Sequence, residues 1–261
     1  MTSMPRFEAG GATFHYAALG VPPGEGTTHL VWAHGWGQDH RAFLALAAQM
    51  ERAGAHTLLD FPGFGASPRP PADWGTEDYA DAVAGWLATL PRGRRIWIGH
   101  SFGCRVGLQL AARHPGLVDG LFLVAAAGLR RHRSPAQRLR MTARVTAYKL
   151  LGRLAALGLP VEGWRSRFGS ADYRAAGAMR PILVKVVRED LSAVAARVTC
   201  PVQLVYGSDD DDTPPELGHR FVDLIPGARL AVLDGFDHHT ILGEGRHQLL
   251  FRLNQFLKAA P

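Results

Sequence analysis

Cysteine is scarce in this chain: Cys104 and Cys200 are the only two in 261 residues, far apart and in neither a metal-ligand nor a redox spacing. That count argues against a disulfide framework, a zinc cluster or a cysteine nucleophile. Long hydrophobic runs are missing as well. The longest, residues 121–127, falls far short of the ~20 apolar residues that a membrane-spanning helix needs. Residues 1–16 lack the apolar centre of a secretion signal, so the expected address is cytoplasmic. No His-Glu-x-x-His, paired Cys-x-x-Cys, Walker loop, internal repeat or low-complexity tract occurs, and neither a metal nor a cofactor is expected. Acidic residues are outnumbered by basic ones, 23 to 29, but no nucleic-acid reading motif accompanies the excess, which disfavours nucleic acid as a partner.

What is present suits one well-buried α/β domain, with 47% hydrophobic residues over this length. Apolar runs bounded by turn residues recur at 13–19, 30–33, 56–60, 95–99, 120–125, 202–206 and 229–233 and read as strands. Helical candidates at 43–52, 76–90, 102–113, 215–224 and 245–257 alternate with them, the order of a mostly parallel, doubly wound sheet covered on both faces. Chemistry in such a sheet gathers beyond the carboxyl ends of the strands.

Between residues 128 and 199 the alternation stops, and an Arg-rich, mainly helical stretch is expected there as an inserted cap on a core made of 1–127 and 200–261. Ser134-Pro135 offers an N-cap and a first-turn proline for a helix reaching about Leu151, with Arg140 and Arg144 on one face. Leu150, Leu151, Leu154, Leu157, Trp164, Phe168, Met179, Ile182 and Leu183 would pack on the core and line a cleft. Residues 128–197 hold fifteen Lys or Arg against four Asp or Glu, while the remainder of the chain is net acidic. A field of one sign confined to one segment can attract an acidic partner.

Gly99-His100-Ser101-Phe102-Gly103 joins the strand candidate at 95–99 to a helix carrying Cys104, Val106, Leu108, Leu110 and Ala111. A serine on so sharp a turn takes up a strained backbone, and only glycine fits two positions to either side. Chance would supply about 0.1 such patterns in a chain of this composition, so the flanking strand and helix carry the argument. Ser101 is the candidate nucleophile.

A serine hydroxyl needs a base, and the base needs an orienting group. Among twelve histidines, His238 in the loop after the strand at 229–233 is the leading base, with His239 as runner-up. Asp209 to Asp212 follow the strand at 202–206. One of them suffices as the orienting carboxylate, and the others are expected to face water. Backbone N–H donors for a developing oxyanion are expected from Phe102, which opens the helix, and from Trp36 in His34-Gly35-Trp36-Gly37, with His34 buttressing that turn.

With these residues in place the chain resembles the α/β-hydrolase superfamily along nearly its whole length. The resemblance rests on His34-Gly35-Trp36-Gly37, Asp60-Phe61-Pro62-Gly63-Phe64-Gly65-Ala66-Ser67, the Gly99–Gly103 elbow, Gly207-Ser208-Asp209-Asp210 and the late His238, in the family's order of Ser, Asp, His. It implies Asp210, with Pro214 four positions on, as the acid, and Asp209 as the fallback. Many relatives have glycine just before the catalytic histidine, where this chain has Asp237. Aspartate-nucleophile relatives such as haloalkane dehalogenases and epoxide hydrolases are set aside by Ser101.

The resulting expectation is a cofactor-independent serine hydrolase acting on a small-molecule carboxylic ester, or a thioester, through an acyl-enzyme. A narrower version is an esterase for methyl esters carried on an acidic acyl-carrier protein, met by Arg130, Arg131, Arg138, Arg140 and Arg144. The rival from another class is a ligand-binding receptor that keeps the hydrolase fold.

Overall fold

The structure, a computed structural model, describes residues 4–131, 139, 142, 143, 146, 147, 150–153, 155, 157 and 171–259. Eight strands form a single sheet in the order β1-β2-β4-β3-β5-β6-β7-β8. They are β1 (Arg6–Ala9), β2 (Ala12–Gly20), β3 (His29–Ala33), β4 (Ala55–Asp60), β5 (Arg95–His100), β6 (Gly120–Val124), β7 (Val202–Gly207) and β8 (Arg229–Leu233). β1 and β2 run antiparallel to their neighbours, and every other pairing is parallel. The seven strands read from the sequence are all present. β1 is the addition: its Arg-Phe-Glu-Ala alternation is too short and too polar to register as an apolar run.

The strands from β3 to β6 are fully buried, as a parallel sheet clad on both faces requires. One face carries α2 (Thr76–Thr89) and α3 (Phe102–Arg113) over Val31, Leu59, Trp97 and Leu123. The other face carries α1 (Arg41–Gln49) and the carboxyl-terminal helix Arg246–Ala259 over Leu30, Leu58, Ile98 and Phe122. Alternate residues of one strand thus feed opposite layers, the period-two pattern of a two-sided core.

Three short helices, α4 (Ala171–Ala175), α5 (Arg180–Arg188) and α6 (Ser192–Ala195), lead from residue 171 back to β7. Pro181 in the first turn starts α5, and Ile182, Leu183 and Val186 form its buried stripe. Lys185 Nζ lies 3.2 Å from Asp78 Oδ2, and the Thr76 amide donates to Glu189 Oε1 at 2.9 Å, tying α5 to the start of α2. The expected N-cap Ser134-Pro135 and the residues Arg138, Arg140, Arg144, Leu154, Trp164 and Phe168 lie outside the described residues. Met179, Ile182 and Leu183 are buried as expected. Leu150 and Leu157 are not: they are 54% and 78% exposed, so neither supplies the core packing expected of it. A leucine count cannot tell a packed face from a bare one.

Candidate active site

At the carboxyl end of β5 the chain turns through Ser101, whose φ of +48° and ψ of −101° put a non-glycine residue in strained backbone at the mouth of α3. Packing enforces this geometry. A Cβ on Gly103 would lie 2.0 Å from the Ala33 carbonyl oxygen, and one on Gly99 would lie 2.8 Å from the Cys104 nitrogen. The Ser101 amide donates to the Val124 carbonyl at 3.0 Å and the Gly103 amide to the His34 carbonyl at 3.1 Å, so β6 and the β3 loop grip the turn from both sides.

That β3 loop contains Trp36. His34 is fully buried beneath it: Nδ1–H donates to the Gly35 carbonyl at 2.7 Å, and Nε2 accepts the Phe61 amide at 3.1 Å. Desolvation pulls its pKa down to about 4, and a neutral ring is what these two contacts need. The Trp36 ring meets Phe102 and Phe64 edge-on at 5.7 and 4.9 Å. Among the described residues the Trp36 and Phe102 amides donate to no other protein group.

The segment from Asp60 to Ser67 supports the loop from behind. Asp60 is wholly buried, with Oδ1 accepting from the His40 amide and Nδ1 at 2.7 and 2.8 Å and Oδ2 from the Ala66 amide at 2.9 Å. Asp39, His40 and Asp60 stand close enough together to suggest a cation site. Their acceptors are already engaged, however, Asp39 by Arg41 and Asp60 by His40 and Ala66.

Across the cleft, His238 Nδ1–H donates to Asp210 Oδ2 at 2.8 Å. Asp210 is buried. Desolvation would raise its carboxyl, but hydrogen bonds from His238 and from the Thr213 amide outweigh it and hold the pKa below the ordinary carboxylate value. Asp209, the fallback, instead accepts from the Ser208 hydroxyl at the surface. Asp237 precedes the short helix Thr240–Gly243, its Oδ1 accepting the His239 and Thr240 amides at 2.8 Å each.

Ser101, His238, Trp36 and Phe102 line one cavity of about 330 Å³, and His239 reaches its exposed rim. A larger cleft, about 990 Å³, opens at the amino ends of β7 and β8 around Cys200, Arg229 and Arg252. No serine or histidine lines it.

Two contributors escaped the sequence. The Thr213 hydroxyl sits 2.8 Å from Asp210 Oδ2, 3.1 Å from His238 Nδ1 and 3.1 Å from the carbonyl of Ala125, itself at φ +50°. His100 Nε2–H donates to the His238 carbonyl at 2.9 Å, and burial pulls the His100 pKa down to about 3. The three residues after Asp210 form a turn that hints at Thr213. Nothing local marks His100.

Comparison with known proteins agrees with the fold. Residues 28–157 match the model of the alpha/beta hydrolase fold family. The chain is 32% identical over 231 residues to the pimeloyl-[acyl-carrier protein] methyl ester esterase of Chromobacterium violaceum, covering 82% of this chain and 88% of that one. It is 26% identical over 228 residues to the 2-(acetamidomethylene)succinate hydrolase of Mesorhizobium japonicum, covering 81% of each. An esterase from Exiguobacterium antarcticum superposes with a TM-score of 0.74 at 18% identity, over 98% of this chain and 100% of that one. The chain belongs to the α/β-hydrolase family and is a hydrolase.

Proposed function

We propose that the protein cleaves carboxylic esters through an acyl-enzyme, with Ser101 as nucleophile, His238 as base and Asp210 orienting the imidazole. The observation that carries this reading is one cavity shared by a strained serine at a helix mouth and a histidine whose Nδ1 is held by a buried carboxylate. His238 Nε2 takes the Ser101 proton as Oγ bonds to the ester carbon, and the Trp36 and Phe102 amides receive the charge on the carbonyl oxygen. Each such donor contributes on the order of 3 kcal/mol to the transition state. Collapse expels the alcohol, which leaves with the proton from His238, and a water activated by the same imidazole then releases the acid. Residues 128–199 act as the cap over this cleft. No cofactor is required by the scheme.

A fluorophosphonate probe should label the wild type strongly and Ser101→Ala not at all. Label persisting on the variant would reject the assignment.

The relative from Chromobacterium violaceum and the basic segment favour a second reading, an esterase for methyl esters on an acidic carrier protein. Arg131 Nη1 donates to the Asp211 carbonyl beside Asp212, a residue of the cavity lining, so Arg131 stands near the cavity. Activity on a carrier-linked ester should fall steeply with salt while that on a free ester holds. Equal salt responses would exclude the carrier.

A further inference from the structure

Arg105 follows Ser101 by one turn of α3 and lines the same cavity. It is partly buried, and its Nη1 donates to the Val186 carbonyl at 3.0 Å in the last turn of α5. Among the described residues that is its only hydrogen bond, and it forms no ion pair. A guanidinium has five N–H donors in a planar fork, and burying it without a carboxylate is costly. Its neighbour Glu189 is committed elsewhere, accepting from the Thr76 amide and hydroxyl.

The cavity also has acidic members, Asp172 and Asp212, beside His238 and His239. Burial and the nearby Asp212 push the Asp172 carboxyl above its ordinary pKa, offset by the two histidines. Arg105 lies in a different field: burial lowers its pKa, and the opposing charges are those of Glu189 and Asp190. Among the described residues Arg105 is the one Lys or Arg that lines the cavity.

We propose that Arg105 receives a free carboxylate on the substrate, so that the preferred esters are half-esters of dicarboxylic acids. This rests on the esterase reading above and narrows its substrate class. The fork suits a carboxylate bidentately, and among the described residues the Val186 carbonyl steadies the guanidinium and engages no more than one of its donors.

The test compares monomethyl adipate with methyl hexanoate, esters of equal chain length that differ by one carboxylate, on the wild type, Arg105→Met and Arg105→Lys. The wild type should favour the adipate ester. In Arg105→Met the ratio of the two kcat/KM values should fall about 10- to 100-fold, carried by KM, with part of it restored by Arg105→Lys. A wild type that does not discriminate, or a ratio unchanged by Arg105→Met, would overturn the proposal and leave Arg105 as a tie between α3 and α5. Adipate titrated into Ser101→Ala, with and without Arg105→Met, decides the matter independently of turnover. Binding that survives loss of Arg105 rejects its role, and binding lost with it supports the role. If neither ester turns over and the fluorophosphonate does not label, the esterase reading fails on its own evidence.

Discussion

The two ends of the sheet offer a natural experiment in what makes a cleft reactive. At the amino end of β7 and β8 a cleft of about 990 Å³ collects Cys200, Arg229 and Arg252, and burial pushes the Cys200 thiol up to about 11, away from the thiolate. At the carboxyl end a third of that volume holds a serine in strained backbone, an imidazole bonded to a buried carboxylate and, among the described residues, two amides without a protein acceptor. On the proposed reading, reactivity follows from imposed conformation and a buried carboxylate beside an imidazole, and volume says little about it.

The largest expected effect separates the ends outright. Asp210→Asn should lower kcat by about 10³- to 10⁴-fold with little change in KM, because the amide favours the wrong imidazole tautomer; steady-state kinetics on a p-nitrophenyl ester checks this. A loss under tenfold would mean that the pairing is structural.

Next comes Gly103→Ala, which forces a methyl group against the Ala33 carbonyl. Overpacking there should cost about 1–3 kcal/mol in urea unfolding, and activity should fall more than stability accounts for because the turn and the β3 loop shift together.

A third effect is pH-linked. His29, His34 and His100 are buried neutral, with pKa values lowered mainly by desolvation to about 4, 4 and 3. Their contribution to stability is complete above the unfolded value near 6.5 and is lost as pH falls towards 4, because the unfolded chain binds the protons first. Unfolding free energy should therefore decline across that window, and His100→Gln should flatten the decline. An identical slope in the variant would place the titration elsewhere.

The smallest effect is at the other cleft, where Cys200→Ala should leave kcat within about twofold. A large loss would undo the contrast between the two ends.

Much of this was legible in the sequence because it is local. The strand that became β5, the elbow and α3 follow from spacing within residues 95–113, and the β3 loop that carries Trp36 is equally local. Partners that meet only after folding were invisible: His100 touches a carbonyl 138 positions away, Arg105 one 81 positions away, and Thr213 becomes part of the site by joining Asp210, His238 and Ala125. The exposed Leu150 and Leu157 failed for the opposite reason, since composition names apolar residues without assigning them a face.

The Ala33 carbonyl filling the space beside Gly103 welds one half of the cleft into a single joint that will not admit an extra methyl group. The wall made of Leu183, Val186 and Val187 on α5 is held instead by side chains, Lys185 on Asp78, Glu189 on Thr76 and Arg105 on the Val186 carbonyl. Attempts to enlarge or reshape what this protein accepts should leave the first wall alone and rewrite the second.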